Sequence, residues 1–159
     1  MTETDISKQL LSYAYYLLAR QDYSEFKLKQ KLKLKTEDHS LIEATIETIK
    51  SKGYLKEDHY RLSKIKMRLK QGKGKRLIKD ELSHEMLTVD ETHLNEAFLD
   101  LGTTQEEILR EMIEKKLRKV NKDDLSFEEK YKLKNKILAY LARNGHSFEE
   151  SHRILKNYL

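Results

Sequence analysis

Histidines and adjacent carboxylates are the side chains in this chain best suited to bind a metal or move a proton. Their spacing favours neither task. The six histidines (His39, His59, His84, His93, His146 and His152) include no helical His–Glu–x–x–His pair. They read as surface or cap residues. The carboxylate pairs Glu106–Glu107, Asp123–Asp124, Glu128–Glu129 and Glu149–Glu150 fall at or just before helix starts, where they complement the helix dipole. Cysteine is absent, which removes a thiolate metal site, a disulfide framework and a cysteine nucleophile. Gly72–Lys73–Gly74–Lys75 lacks the spaced first glycine and the preceding strand of a Walker loop. With no convergent nucleophile, base or ligand set, no enzyme is expected, and no catalytic residue, metal site or cofactor is assigned.

The charge pattern is more informative. The net charge is +5, unevenly spread. From Arg61 to Asp80 the chain carries Arg61, Lys64, Lys66, Arg68, Lys70, Lys73, Lys75, Arg76 and Lys79 against Asp80 alone. From Glu81 to Glu114 the balance inverts, with Arg110 the only basic residue among ten acidic ones. Such polarisation gives a directional field for steering a charged partner, although lysine-rich helical faces are also common as solvated surfaces. On a helical wheel Leu62, Ile65 and Leu69 share an inward face, and Arg61, Lys64 and Arg68 line its flank. Lys73, Lys75, Arg76 and Lys79 follow around a glycine break, at the start of the next helix, where free N–H groups add to the attraction for phosphate or carboxylate. The candidate binding residues are therefore Arg61, Lys64, Arg68, Lys73, Lys75, Arg76 and Lys79, suited to phosphate-backbone contacts that carry affinity but no sequence information. The acidic stretch is expected to lie elsewhere. Tyr13, Tyr15, Tyr16, Tyr23, Tyr54 and Tyr60 suit either stacking on exposed bases or, as is commoner at helical spacing, core and rim positions.

The elements that carry these residues are helical. Ser or Thr with Glu three residues on is the capping-box pattern, found at Ser40/Glu43, Thr88/Glu91, Thr104/Glu107, Ser126/Glu129 and Ser147/Glu150. Gly53, Gly102 and Gly145 follow apolar-periodic stretches, where left-handed C-caps are wanted. Helical spacing predicts helices over about 5–21, 24–35, 40–51, 56–71, 74–86, 89–101, 104–119, 127–144 and 148–158, grouped as three triplets. Phe26 to Lys35 alternates leucine or phenylalanine with polar residues as a strand does. A lone strand would have no partner here, and Leu28 and Leu32 stand at i, i+4, so it reads as helix. Segments beginning near Phe26, Ile78 and Ile137 overlay, with Leu28, Leu82 and Leu141 equivalent. A repeat of this kind favours an extended binding surface over a pocket. Proline is absent, glycine numbers five, and no run approaches the length of a membrane span or a signal sequence. The chain is read as soluble and cytoplasmic.

Four stretches, in order, resemble the RecX family of regulatory proteins. They are Ala19–Ser24 leading to Leu28-x-x-Lys31–Leu32; Lys52–Leu55 with Glu57–Asp58; Lys73–Gly74 with Arg76-x-Ile78 and Glu81–Leu82; and Tyr140–Phe148. The resemblance implies an all-α, elongated and curved array of three tandem three-helix repeats, about nine helices in all. Its implied role is to bind the RecA–DNA filament and restrain filament growth, ATP hydrolysis and strand exchange, in homologous recombination, DNA repair and the SOS response. The implied partners are the RecA recombinase filament and its DNA, with no membrane and with the chain a monomer. Two places depart from the family pattern. Glu85–Met86–Leu87 replaces a Lys–Gly–Ile-like turn, and His146 stands where phenylalanine is typical after the glycine. The repeats are expected at 1–53, 54–102 and 103–159. The alternative reading is a general single-stranded nucleic-acid-binding protein that competes for DNA.

Overall fold

The computed structural model describes residues 2–159. Among them are α1 (Glu3–Arg20), α2 (Glu25–Lys33), α3 (His39–Ser51), α4 (Glu57–Lys70), α5 (Lys75–Ser83), α6 (Glu91–Leu101), α7 (Gln105–Leu117), a 3-10 turn at Lys122–Asp124, α8 (Phe127–Arg143) and α9 (Phe148–Leu155), with no strand. The chain divides into two compact units. The first runs to Ser63 and takes in His84–Leu87; the second comprises Lys64–Ser83 and Thr88–Leu159.

In the first unit α1, α2 and α3 close on one apolar core. Leu10, Ala14 and Leu17 meet Leu28 and Leu32 and the Ile42, Ile46 and Ile49 stripe of α3. Burying each of the larger side chains contributes roughly 1.5–3 kcal/mol, which explains why the strand-like alternation of α2 folds as helix. Leu28 and Leu32 share the inward face of the helix and are fully buried, whereas Leu34, which a strand would place on the same face, is 77% exposed. The lysines between them turn outward, and Lys29 pairs with Glu43 at 2.9 Å. Ser24 caps α2, its Oγ accepting from the Lys27 N–H at 3.1 Å. The same hydroxyl donates to Glu85 at 3.4 Å, and the buried Tyr60 phenol also donates to Glu85. Burial first, then this bond to a carboxylate, pushes the Tyr60 pKa above the usual phenol range. The neighbouring Met86 adopts φ +61 and is 80% exposed. The position therefore takes a left-handed backbone, which glycine adopts without the steric cost that a Cβ brings.

The sequence pattern points to Ser40 and Thr88 as caps, but the chain uses other residues. Asp38 accepts from the Leu41 N–H at 3.2 Å at the start of α3. Asp90 opens α6 and exchanges bonds with His93, whose Nδ1 takes the place of the usual glutamate. Aspartate serves as well as serine at an N-cap, and each of these two aspartates lies two residues from the serine or threonine that the pattern favours. Thr104, Ser126 and Ser147 do cap α7, α8 and α9.

In the second unit the α4–α5 turn docks on the α8–α9 turn through bare backbone. The Gly74 N–H donates to the Asn144 carbonyl at 2.6 Å. A Cβ at Gly74 would overlap the Gly145 carbonyl, and one at Gly145 would come within 2.6 Å of Leu77 Cβ. Gly145 also has φ +92, so only glycine fits both its conformation and its neighbours. Beneath these turns Ile78 and Leu82 of α5, Leu109 and Ile113 of α7, and Leu141 of α8 are almost wholly buried.

Candidate basic interface

Ile65 and Leu69 face inward from α4 as the wheel predicts, and Leu62 is half-buried. The flank beside them carries Arg61, Lys64 and Arg68, all three half-buried. Arg61, the one candidate in the first unit, pairs with Asp58 at 2.9 Å one turn back. Its Nε is buried and makes no hydrogen bond. Lys64 is half-buried on the same flank. Arg68 meets Glu81 at 2.6 Å and donates to Gln71 at 3.0 Å. Lys75 bonds Glu91 at 2.9 Å, and Lys79 stands 3.9 Å from the same carboxylate. Lys75 holds the Glu91 carboxyl below the usual range.

These pairs correct one sequence expectation. The acidic stretch does not lie elsewhere: Glu81, Glu91 and Asp100 reach back to Arg68, to Lys75 and Lys79, and to Lys66. A linear charge count cannot show this, because folding brings the two opposite runs together.

Two further candidates hold the structure. Lys73 Nζ donates to Asn144 Oδ1 at 3.1 Å, and the Arg76 guanidinium donates to the Ala142 carbonyl at 2.8 Å. They join the Gly74–Asn144 bond at the meeting of the two turns. His146 completes this junction and is no surface residue: it is only 3% exposed. Its Nε2 meets the Gly72 carbonyl at 2.7 Å and its Nδ1 meets Gln105 Nε2 at 2.7 Å. A neutral ring with its hydrogen on Nε2 satisfies both contacts. Burial lowers its pKa, opposed in part by the Gly72 carbonyl and by Glu150. The motifs Lys73–Gly74–x–Arg76 and Asn144–Gly145–His146 are thus two halves of one internal contact. A cleft of about 390 Å³ beside it is lined by Lys75, Arg76, Gln105, His146 and Glu150. It gathers no nucleophile beside a base, and no group of three or more His, Cys, Asp or Glu among the described residues is placed to hold a metal ion.

Of the tyrosines, Tyr23 and Tyr60 are core residues, while Tyr16 and Tyr54 are about half exposed. Tyr54 meets Tyr15 edge to face at 5.5 Å, and Lys35 sits 4.8 Å over the Tyr13 ring. The sequence reading passed over a second basic surface. Lys130, Lys132, Lys134 and Lys136 on α8 make no ion pair among those the described residues form. The signal was present in the alternation KYKLKNK at 130–136, but the acidic residues just before it hide it in any averaged charge.

Among the described residues the regular elements are all helical, and α1–α3 and α7–α9 each pack as a three-helix group, which defines an all-α protein of helical modules. Residues 104–155 match the family model described as RecX, third three-helix domain. The chain is 28% identical over 142 residues to Regulatory protein RecX of Vibrio campbellii, covering 86% of this chain and 83% of that protein. It is 38% identical over 72 residues to the namesake of Haemophilus ducreyi, covering 45% and 48% of the two chains. The crystal structure of RecX from Lactobacillus salivarius superposes with a TM-score of 0.75 at 20% identity, covering 97% of each chain, and so shares the fold. The chain is thus similar in sequence over most of its length to RecX regulatory proteins, and its last third matches that family's third three-helix domain. No helix among the described residues is long and apolar enough to cross a membrane.

Proposed function

We propose that this chain modulates RecA filaments by binding the RecA–DNA nucleoprotein complex, mainly inhibiting its ATPase, growth and strand exchange, and that it does so as a cytoplasmic monomer without catalysing a reaction. The observation that carries this reading is the family match, which spans most of the chain at 28% identity and reaches the third three-helix domain. The charged exterior supports it, since a rod of nucleoprotein offers repeated anionic groups and no small substrate.

Within the basic run, Lys64, Arg68, Lys75 and Lys79 are the contact residues we favour. Exposed ion pairs such as Lys75–Glu91 contribute about 0–1 kcal/mol each, so a partner carboxylate or phosphate displaces them readily. Arg61 belongs to the flank of the same helix, while Lys73 and Arg76 position the turn. The three repeats proposed are 1–53, 54–102 and 103–159.

The test is the ATPase rate of cognate RecA on single-stranded DNA, titrated with this protein, with its binding to the same DNA measured in parallel without RecA. Inhibition well below the concentration that coats bare DNA is the expected result. Inhibition only once the DNA is coated replaces this reading with competition for DNA; no inhibition removes it. Lys75→Ala with Lys79→Ala should raise the half-inhibiting concentration several-fold while leaving the helical content unchanged.

A further inference from the structure

The first half of α8 has no structural reason to be as it is. The helix is 17 residues, roughly 25 Å, long, yet its buried residues, Ile137, Leu138 and Leu141, all lie in its second half. From Phe127 to Lys132 every residue is exposed. Within this stretch Phe127 and Tyr131 stand one turn apart on one face, 85% and 60% exposed. Large aromatic side chains left in water in this way, on the side that continues the Leu138 stripe, mark an unfilled surface.

The charges around them say what fills it. Lys130 and Lys134 border the aromatic pair, one turn apart, and Lys132 and Lys136 extend the positive field around the helix. None of these four belongs to an ion pair among those the described residues form, in contrast to Arg68, Lys75 and Lys79 on α4 and α5. Glu128 and Glu129 lie in the first turn, at the positive end of the helix dipole; on the wheel Glu129 falls on the far face, and Glu128 flanks the aromatic pair on the side opposite Lys130 and Lys134. Lysines answer phosphates, and two accessible rings at one-turn spacing answer unpaired bases, which offer a π-face to stack on; a duplex hides those faces. We propose that the Phe127–Lys136 segment of α8 is a docking surface for single-stranded nucleic acid, with Phe127 and Tyr131 stacking on bases and Lys130 and Lys134 holding the adjoining phosphates.

The proposal names a nucleic-acid contact within the filament reading and rests on that reading only for its biological setting, so the two fail separately. The probe is a fluorescein-labelled oligodeoxythymidine of about 20 nucleotides, longer than the roughly 4–16 that one module covers, followed by anisotropy with the full chain. Lys130→Glu with Lys134→Glu should weaken binding about tenfold or more and flatten the salt dependence by about 0.7 for each phosphate no longer held. Phe127→Ala with Tyr131→Ala should weaken it about fivefold or more per ring, whereas Tyr131→Trp should keep binding and show indole quenching on saturation. Lys31→Glu with Lys33→Glu, an equal charge change on α2, is the control and should lower affinity far less. The proposal is overturned if the control matches the α8 variants, if Tyr131→Trp binds without quenching, or if duplex competes as well as single strand. A chain that inhibits RecA but does not bind the oligonucleotide also overturns it and leaves the filament reading standing; binding through α8 without any effect on RecA does the reverse.

Discussion

His146 joins two turns of chain through a neutral ring, and this makes it a source of acid sensitivity. Its pKa is lowered in the fold from about 6.5, so the unfolded chain takes up a proton more readily than the folded one. The stability it contributes is present above about pH 6.5 and is lost as the pH falls through its lowered folded value. Unfolding midpoints measured between neutral pH and pH 5 should fall for the native chain and fall less for His146→Gln; equal slopes would reject the assignment. Met86 offers a test of the opposite sign. It holds a left-handed backbone while its side chain is out in water, so Met86→Gly removes strain and little packing. We expect a gain of about 0.5–1 kcal/mol in urea unfolding, and a loss would show that the methionine side chain packs against the fold after all. Neither effect is legible before the structure. The sequence shows a departure from the family turn at both places, but not that one departure is strained and the other buried.

The helices were mostly readable, because apolar spacing and short polar caps act locally. Thr104, Ser126 and Ser147 lie where the pattern puts them. Ser40 and Thr88 failed because a carboxylate two residues away starts each helix in another register, Asp38 accepting from Leu41 and Asp90 from His93, and a regular pattern does not rank competing caps. The turns between helices carry long-range information that spacing lacks. Gly74 is ordinary in backbone angle yet touches Gly145, whereas Gly102 has φ +64 with nothing near its missing side chain. Alanine at each position separates the two effects. Gly102→Ala should cost about 1 kcal/mol from the left-handed backbone alone. Gly74→Ala should cost about 1–3 kcal/mol by forcing the two turns apart, and it should also perturb the His146 environment by NMR while Gly102→Ala leaves it alone.

At the scale of the molecule, net charge was a poor guide to usable charge. The run chosen from sequence, Arg61 to Lys79, is the one the chain's own carboxylates answer, while the lysines of α8 stand apart. Both facts follow from which helices lie beside each other, which no linear count records. If phosphates form part of the bound surface, filament inhibition must weaken as salt rises. Six to ten phosphate contacts would cost about 10³–10⁵ in affinity between 50 and 200 mM salt. A half-inhibiting concentration unchanged over that range would assign the contact to protein alone.

If the basic run is the contact surface proposed above, its ion pairs along α4 and α5 act as a threshold. Glu81, Glu91 and Asp100 are anionic competitors tethered beside the cations that an outside ligand would use, and an exposed pair such as Lys75–Glu91 holds its place by no more than about 1 kcal/mol. A stray phosphate or a single acidic side chain gains little by displacing one of them. A partner that presents several anions in rigid register displaces them together and gains the sum. Weak, removable self-pairing of this kind discriminates against scattered charge in favour of ordered charge, with no residue that recognises anything by shape.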